Sequence, residues 1–405
     1  MRRLRVAAVV AVCAAAVAIP VATYASTDNA TASSWQPSWR TAPQQPVASG
    51  LSHDGFTNQT VRMIVRPTVG GPALRVRLSN LYGTTPLSVG PVAVAEQDVG
   101  PTVVAHTQRV VTFAHSESTT VAAGTEAVSD PVSFRTRAGR NLVVSVYLTG
   151  PTGPATWHNK AQTTSYISSP GDWATEPGGS PYQSITPSWF YLDGVDVLAR
   201  PPAGTVVAFG DSITDGSYST MDADSTYPDW LARRAGNYAV LNEGVGGNRI
   251  LTDTPGGGES ALHRFERDVL DQGASAVVFL EGVNDIGANA TAQQVVDGLT
   301  QLIDEAHAHC VRIIGGTITP FENSVYDTPE HEQIRESVNQ WIRTSGQFDG
   351  VADFDRALRD PADARRIDPR YHTVGDLHPN DVGYRVMADT VDLAQLKNGD
   401  TCPHD

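Results

Sequence analysis

The sequence is poor in cysteine, in basic residues and in long apolar runs, and each shortage excludes a class of protein. Only 3 of its 405 residues are cysteine, and no CxxC pair or Cys/His cluster at zinc spacing occurs, so a thiolate metal site is not expected. Beyond residues 1–26 no segment approaches the roughly 18 continuous apolar residues of a membrane span, so we expect no stable membrane insertion. Because 29 Lys and Arg face 44 Asp and Glu, a formal net charge of -15, nucleic-acid partners are not expected either.

The apolar run that does occur lies at the start of the chain. Residues 1–26 read MRRLRVAAVVAVCAAAVAIPVATYAS, with arginines first, then an apolar stretch, then small residues. This pattern is typical of a secretory signal peptide, so we expect residues 1–32 to be removed and the protein to be secreted to the extracellular space. Cys310 and Cys402 would remain in an oxidising compartment, where they can form a disulfide; a buried thiol beside an exposed one is the alternative.

A chain of this length is expected to form two domains, and its texture changes near residue 200. Residues 33–200 are rich in Val, Thr, Gly and Pro and contain short alternating runs. In ALRVRLSN, for example, Leu74, Val76 and Leu78 alternate with two arginines. This pattern predicts an antiparallel, β-sandwich-like N-terminal domain, followed by a linker at ARPPAG, residues 199–204.

Residues 204–400 have a different pattern of apolar residues. Apolar runs of strand length lie at 205–209, 239–244, 275–282, 311–320 and 350–354, and helix-like stretches separate them. Alternation of strands and helices predicts an α/β domain: a doubly wound parallel sheet in three αβα layers, of the flavodoxin-like kind.

The predicted strands are followed by small and polar residues, and ligands bind beyond the carboxyl ends of such strands. The segments are GDSITDG (210–216), NEGVGGNRI (242–250), EGVNDIG (281–287) and GDLHPND (375–381). Ser212 is a candidate nucleophile and His378 its candidate base. The backbone amides of Ser212 and Gly247 and the side chain of Asn284 are candidate donors to an oxyanion. Together these groups predict acyl transfer.

The segments GDSIT, GVGGN, GVND and DLHPNDVGY resemble, in this order, the four motif blocks of the SGNH (GDSL) hydrolase family. The resemblance covers residues 204–395. It implies Ser212 as nucleophile, Gly247 and Asn284 as oxyanion donors and His378 as base, and it implies no metal or organic cofactor. The N-terminal region, with WRTAP and VRLSNLYG, is similar to the β-rich front domain of a secreted bacterial esterase/lipase-like subgroup.

One position departs from the family pattern. The family usually has an Asp three residues before the His, where this chain has Gly375. Asp376, two residues before the His, is the nearest carboxylate and the candidate third member of the triad. A backbone carbonyl is the alternative partner of His378, which would leave a Ser–His dyad.

Three acidic features have structural interpretations. Asp211 is expected to fix the turn that carries Ser212, and Asp285 to anchor the loop around Asn284. The acidic segment MDADS, residues 221–225, lacks the ligand spacing of a calcium loop and is interpreted as a solvated loop.

The sequence thus favours a secreted serine esterase or acylhydrolase acting on a small-molecule, lipid or carbohydrate ester. A polysaccharide O-deacetylase of the xylan or pectin type is the alternative, and a non-catalytic binding module is disfavoured by the intact motifs. GDSITDG has neither GxGxxG glycines nor a P-loop lysine, which argues against a nucleotide-binding domain. Thr214 occupies the second glycine position of a GxSxG elbow, which argues against an α/β-hydrolase. The oligomeric state is left open.

Overall fold

The fold is described from a computed structural model of the chain for residues 32–372 and 377–397. From Ser33 onward these residues form one unit by their contacts. Nearly all of the predicted signal peptide, and also Asp376 and Cys402, lie outside the described residues, so a Cys310–Cys402 disulfide stays a prediction. Within the described ranges, no helix combines the length and the apolar character needed to cross a membrane.

The region before residue 200 is built from antiparallel strands and one short helix, α1 (Leu51–Asp54). The strands are β1 (Ser34–Arg40), β2 (Gln59–Val65), β3 (Gly71–Ser79), β4 (Leu87–Glu96), β5 (Arg109–Val111), β6 (Thr119–Val121), β7 (Glu126–Val128), β8 (Val132–Thr136), β9 (Leu142–Leu148), β10 (Trp157–His158), β11 (Ser165–Pro170), β12 (Tyr182–Thr186), β13 (Trp189–Phe190) and β14 (Leu192–Ala199).

Two antiparallel sheets of this region share one apolar core. One has the order β1-β14-β3-β7 with β8 also paired to β3; the other has the order β12-β11-β2-β9-β4-β5 with β6 also paired to β4. Leu74, Val76 and Leu78 on β3 are fully buried and belong to the same core as Val144 and Val146 on β9. Because side chains alternate between the two faces of a strand, this burial confirms the predicted alternation.

The rest of the chain alternates strands and helices. The strands are β15 (Thr205–Gly210), β16 (Ala239–Gly244), β17 (Ala276–Leu280), β18 (Arg312–Gly316), β19 (Gly350–Ala352), β20 (Arg359–Asp360) and β21 (Asp363–Ile367). The helices are α2 (Ser212–Asp215), α3 (Tyr227–Ala235), α4 (Ala261–Phe265), which continues as a π-helical turn (Glu266–Leu270), α5 (Val283–Gly287), α6 (Ala292–Ala308), α7 (Pro329–Thr344), α8 (Phe354–Leu358) and α9 (Asp381–Thr390).

The central sheet is parallel and has the order β16-β15-β17-β18-β19. Successive residues of β15 enter different cores. Val207 and Phe209 pack with α4, α6 and α7, whereas Val206 and Ala208 pack with α3, α8 and α9. All five strands lie within or overlap the runs predicted from the sequence. The carboxyl ends of β16, β15 and β17 lie side by side, and the polar segments that follow them meet there.

Candidate active site

Ser212 is the first residue of α2, the one-turn helix that follows β15. Asp211 caps this helix, since its carboxylate accepts the N–H of Ile213 at 2.9 Å. The helix ends at Gly216, whose φ of 98° is in the left-handed region that favours glycine. The expectation that Asp211 fixes this turn agrees with the contact, and the turn delivers Ser212 to the end of the central strand.

His378 lies directly against Ser212. The serine Oγ is 2.8 Å from His378 Nε2, although the two residues are 166 positions apart in the sequence. The histidine lies just before α9, whose cap Asn380 accepts the N–H groups of Val382 and Gly383. The ring of Tyr218 lies over the imidazole, with centroids 5.0 Å apart and planes inclined by 32°.

The environment of His378 keeps its imidazole neutral. Burial lowers the pKa of His378 to about 4, and the positive charge of Lys160 acts in the same direction. A neutral imidazole can accept a proton, as a general base must. His378 is therefore in a form that can accept a proton at neutral pH.

The predicted oxyanion donors lie on the segments that follow β15, β16 and β17. Gly247 has a φ of 78°, a left-handed conformation suited to glycine. Between described residues, no hydrogen bond uses the backbone N–H of Ser212 or Gly247. The Asn284 amide donates one N–H to the carbonyl of Asn248 at 2.9 Å, and its oxygen accepts the Tyr326 hydroxyl at 3.0 Å. This orientation leaves the second N–H of Asn284 for a ligand.

Asp285 connects the loop that carries Gly247 to the helix that carries Asn284. Its carboxylate accepts the N–H of Ile250 at 2.9 Å and that of Leu251 at 3.1 Å. It therefore anchors the loop after β16 to α5, the helix that contains Asn284. The sequence predicted an anchoring role for Asp285, but not this partner.

Arg264, which sequence reasoning did not single out, supports the floor of the site. Its buried guanidinium donates to the carbonyls of Gly210 at 2.9 Å and Glu243 at 2.8 Å, at the ends of β15 and β16. It also donates to Asn248 Oδ1 at 2.9 Å and to Glu281 Oε1 at 3.1 Å. Arg264 lies on the same helix face as the apolar residues Ala261 and Phe265, and a charged residue in that position was the sign in the sequence that it is buried and bonded.

Four further residues at or near the site carried no motif. Tyr218 contacts His378, and Tyr326 contacts Asn284. The β-rich region contributes His158 and Lys160. Their relevance depends on tertiary contacts, so the sequence offered no direct sign of them. The candidate triad acid Asp376 lies outside the described residues.

Comparison with known proteins identifies the same part of the chain. The model of the GDSL-like Lipase/Acylhydrolase family matches residues 208–386. A Bacillus subtilis protein, the uncharacterized lipoprotein YqeF, is 30% identical over 125 residues, which are 28% of this chain. The match spans 48% of that relative, about half of its length.

Solved structures were also compared. A lipolytic protein of the G-D-S-L family from Desulfitobacterium hafniense is 18% identical, with a TM-score of 0.39, over 46% of this chain and 96% of that one. The lipase/acylhydrolase from Enterococcus faecalis is 22% identical, with a TM-score of 0.38, over 48% and 95%. Axe2, an acetylxylan esterase from Geobacillus stearothermophilus, is 19% identical, with a TM-score of 0.37, over 48% and 94%.

The matched segment contains the described site residues that the sequence predicted. Ser212, Gly247, Asn284 and His378 all lie within residues 208–386. Residues 208–386 therefore form a domain that matches the GDSL-like lipase/acylhydrolase family, whose members are hydrolases that act on esters.

Proposed function

We propose that the protein is a secreted serine esterase or acylhydrolase that cleaves carboxylic ester bonds through an acyl-enzyme on Ser212. The observation that carries this proposal is the 2.8 Å contact between Ser212 Oγ and His378 Nε2, beside unused hydrogen-bond donors. For the serine to donate to Nε2, the ring proton of the neutral imidazole must be on Nδ1. His378 then takes the proton of Ser212 as the serine oxygen attacks the ester carbonyl.

The tetrahedral intermediate carries a negative oxygen. The backbone N–H groups of Ser212 and Gly247 and the free N–H of Asn284 stabilise it. When the intermediate collapses, the ester C–O bond breaks and His378 protonates the leaving alcohol. Water then attacks the acyl-enzyme with His378 again as base, which releases the carboxylic acid and restores Ser212.

Asp376 is proposed as the group that accepts a hydrogen bond from the Nδ1–H of His378 and stabilises the imidazolium. Loss of such an acid lowers turnover by orders of magnitude in other triads. If a backbone carbonyl serves instead, Asp376→Asn will change turnover only a few-fold, and the enzyme works with a Ser212–His378 dyad.

Several further predictions accompany this function. We propose that residues 1–32 are a cleaved signal peptide, that Cys310 and Cys402 form a disulfide, that 33–200 is a β-rich N-terminal domain and that 204–400 is the hydrolase domain. Helices against both faces of the parallel sheet support a doubly wound, three-layer arrangement for the second domain.

A substrate panel with active-site variants tests the proposal. Wild type, Ser212→Ala and Asn284→Ala are assayed on aryl acetates, longer aryl esters, a phospholipid and acetylated xylan. We expect Ser212→Ala to be inactive while folded, and Asn284→Ala to lose about 10²–10³ in kcat, the effect of removing one oxyanion donor. Wild-type turnover by Ser212→Ala would refute the mechanism. Activity confined to acetylated xylan would favour the polysaccharide O-deacetylase.

A further inference from the structure

His158, on β10 of the β-rich region, makes a buried contact with the helix that carries Ser212. Its Nε2 lies 3.1 Å from Asp215 Oδ1, and its Nδ1 lies 2.9 Å from the carbonyl oxygen of Ala42. Both side chains of the His158–Asp215 pair are only 3% exposed. Bulk solvent therefore does not reach this hydrogen bond.

The number of protons on His158 and Asp215 determines which hydrogen bonds the pair can form. Both ring nitrogens of His158 face oxygen acceptors, so either both nitrogens carry protons or the carboxyl of Asp215 carries one. Burial raises the pKa of Asp215, while His158 opposes that shift. In either protonation state, one hydrogen lies between His158 and Asp215.

Asp215 is the last residue of α2, and Ser212 is the first. The backbone bonds of this single turn are few: Asp215 N–H donates to Asp211 at 2.9 Å, and Gly216 N–H donates to Ser212 at 3.0 Å. One helical turn is marginal by itself, so its orientation depends on its anchors. Holding Asp215 therefore fixes the direction from which Ser212 approaches His378.

Nothing else described in the protein replaces this anchor. Among the described residues, His158 supplies the side chain that bonds to the Asp215 carboxylate, and Asp215 Oδ2 is buried without a partner. His158, Asp215, Thr41 and Ser219 line a cavity of about 70 Å³, and the hydroxyls of Thr41 and Ser219 are also buried without partners. A polar cavity of this size accommodates water. Water can satisfy the second carboxylate oxygen but does not position it rigidly.

The residues that follow His158 and Asp215 along the chain also bond to each other. The N–H of Asp222 donates to the carbonyl of Gln162 at 3.0 Å, and the Asp222 carboxylate accepts the N–H of Thr164 at 2.6 Å. The segment 158–164 thus contacts the segment 215–222 at both ends, through His158 and Asp215 at one end and through Gln162, Thr164 and Asp222 at the other.

We propose that the β-rich region is part of the catalytic apparatus, with His158 as a positioning residue. Through Asp215, His158 holds the Ser212 helix in register with the imidazole of His378. This inference rests on the proposed serine esterase function and assigns a role to the β-rich region within it.

Two substitutions of His158 separate its contacts. In His158→Asn the amide nitrogen occupies the position of Nδ1, so it keeps the bond to Ala42 and loses Asp215. In His158→Gln the amide nitrogen occupies the position of Nε2 and can still reach Asp215. Thr41→Val is the control, because it alters the same cavity without touching the Asp215 bond.

The readouts are steady-state hydrolysis of an aryl acetate, the rate at which a fluorophosphonate labels Ser212, and the melting temperature. We expect His158→Asn to lower kcat and the labelling rate in parallel by about tenfold or more, with KM nearly unchanged, because misalignment affects the reacting atoms. His158→Gln and Thr41→Val should remain close to wild type in both rates.

Two results would overturn the proposal. The first is wild-type kcat and labelling in His158→Asn. The second is a loss of kcat that follows melting temperature equally in the Asn and Gln variants, which would show a purely structural role. A wild-type protein that neither hydrolyses esters nor reacts with the fluorophosphonate would overturn the esterase proposal itself, and this inference with it.

Discussion

At the scale of single residues, the orientation of the Asn284 amide depends on Tyr326. The tyrosine hydroxyl donates to Asn284 Oδ1 at 3.0 Å, so it directs the nitrogen, not the oxygen, toward the oxyanion position. We expect Tyr326→Phe to lower kcat by about tenfold, less than the loss of Asn284 itself, with little change in KM. Tyr218→Phe is the control, since it keeps the ring over His378 and removes a hydroxyl that makes no hydrogen bond to another described residue. Equal kcat values for the two variants would contradict this role.

The charge of Lys160 sets part of the pH dependence. Burial and, to a smaller extent, the charge of Lys160 together lower the pKa of His378 to about 4. The base works in its neutral form, so activity falls as pH drops through this pKa. Lys160→Gln removes the charge and raises the pKa, so the acidic limb of kcat/KM should move to higher pH, whereas Lys160→Arg should leave it in place. Coincident acidic limbs for all three proteins would exclude an electrostatic role for Lys160.

At the scale of secondary-structure elements, Arg264 connects the ends of the strands that carry the site. Its guanidinium is 1% exposed and bonds to groups at the ends of β15, β16 and β17. Removing it leaves buried carboxylates and carbonyls unpaired, so we expect Arg264→Gln to lower the free energy of unfolding by about 3–5 kcal/mol. Denaturant unfolding measures this loss. The control is Arg356→Gln, since this arginine is 63% exposed in its ion pair with Asp353 and its loss should change stability by less than about 1 kcal/mol.

The elements that were predicted correctly have apolar periodicity, and those that were not lack it. The strands of the central sheet are continuous apolar runs, because both of their faces are buried. The hairpin β20–β21 was missed because its residues are mostly charged; an ion pair of Arg366 with Asp360, at 2.7 Å, joins its two strands. The acidic segment 221–225 was interpreted as a solvated loop, and residues 221–223 are exposed, although Asp222 bonds to Thr164. Asp224, in contrast, is partly buried and pairs with Arg66 at 2.6 Å.

The same distinction applies to the site. Ser212, Gly247, Asn284 and His378 could be predicted because each lies in a short motif next to a strand end or helix start. His158 and Tyr326 could not, since their partners are 57 and 42 positions away in the sequence and neither lies in a motif. Periodicity encodes burial, but it does not encode which buried polar groups meet.

At the scale of the whole molecule, buried carboxyls make stability depend on pH. Burial raises the pKa of Asp211 to about 7 and that of Glu281 to about 8. In the unfolded chain both titrate near 4, so their contribution is complete below about pH 4 and is lost as pH rises through about 7 and 8. His378 acts in the opposite direction, but only between about pH 4 and its ordinary value of 6.5.

We therefore expect the free energy of unfolding to decrease between about pH 6.5 and 8.5. Asp211→Asn keeps the cap acceptor of α2 without a titrating group, so its stability should decrease less steeply. Asp54→Asn, at a side chain that is 70% exposed, should keep the wild-type slope. Denaturant unfolding at several pH values gives the three slopes, and identical slopes for Asp211→Asn and wild type would show that Asp211 does not hold its proton in the folded state.

The wide separation of Ser212 and His378 along the chain, 166 positions, has a consequence for folding. The parallel sheet between them consists of non-local pairings, which form slowly because long loops must close first. Ser212 follows β15 and His378 precedes α9, so the two side chains meet only when α9 has packed against the central sheet. During refolding, we expect the signals of buried aromatic rings to recover before reactivity toward an ester. Ester hydrolysis is therefore a stricter test of complete folding than the aromatic signals. A chain with a packed core but an undocked α9 would not hydrolyse the ester.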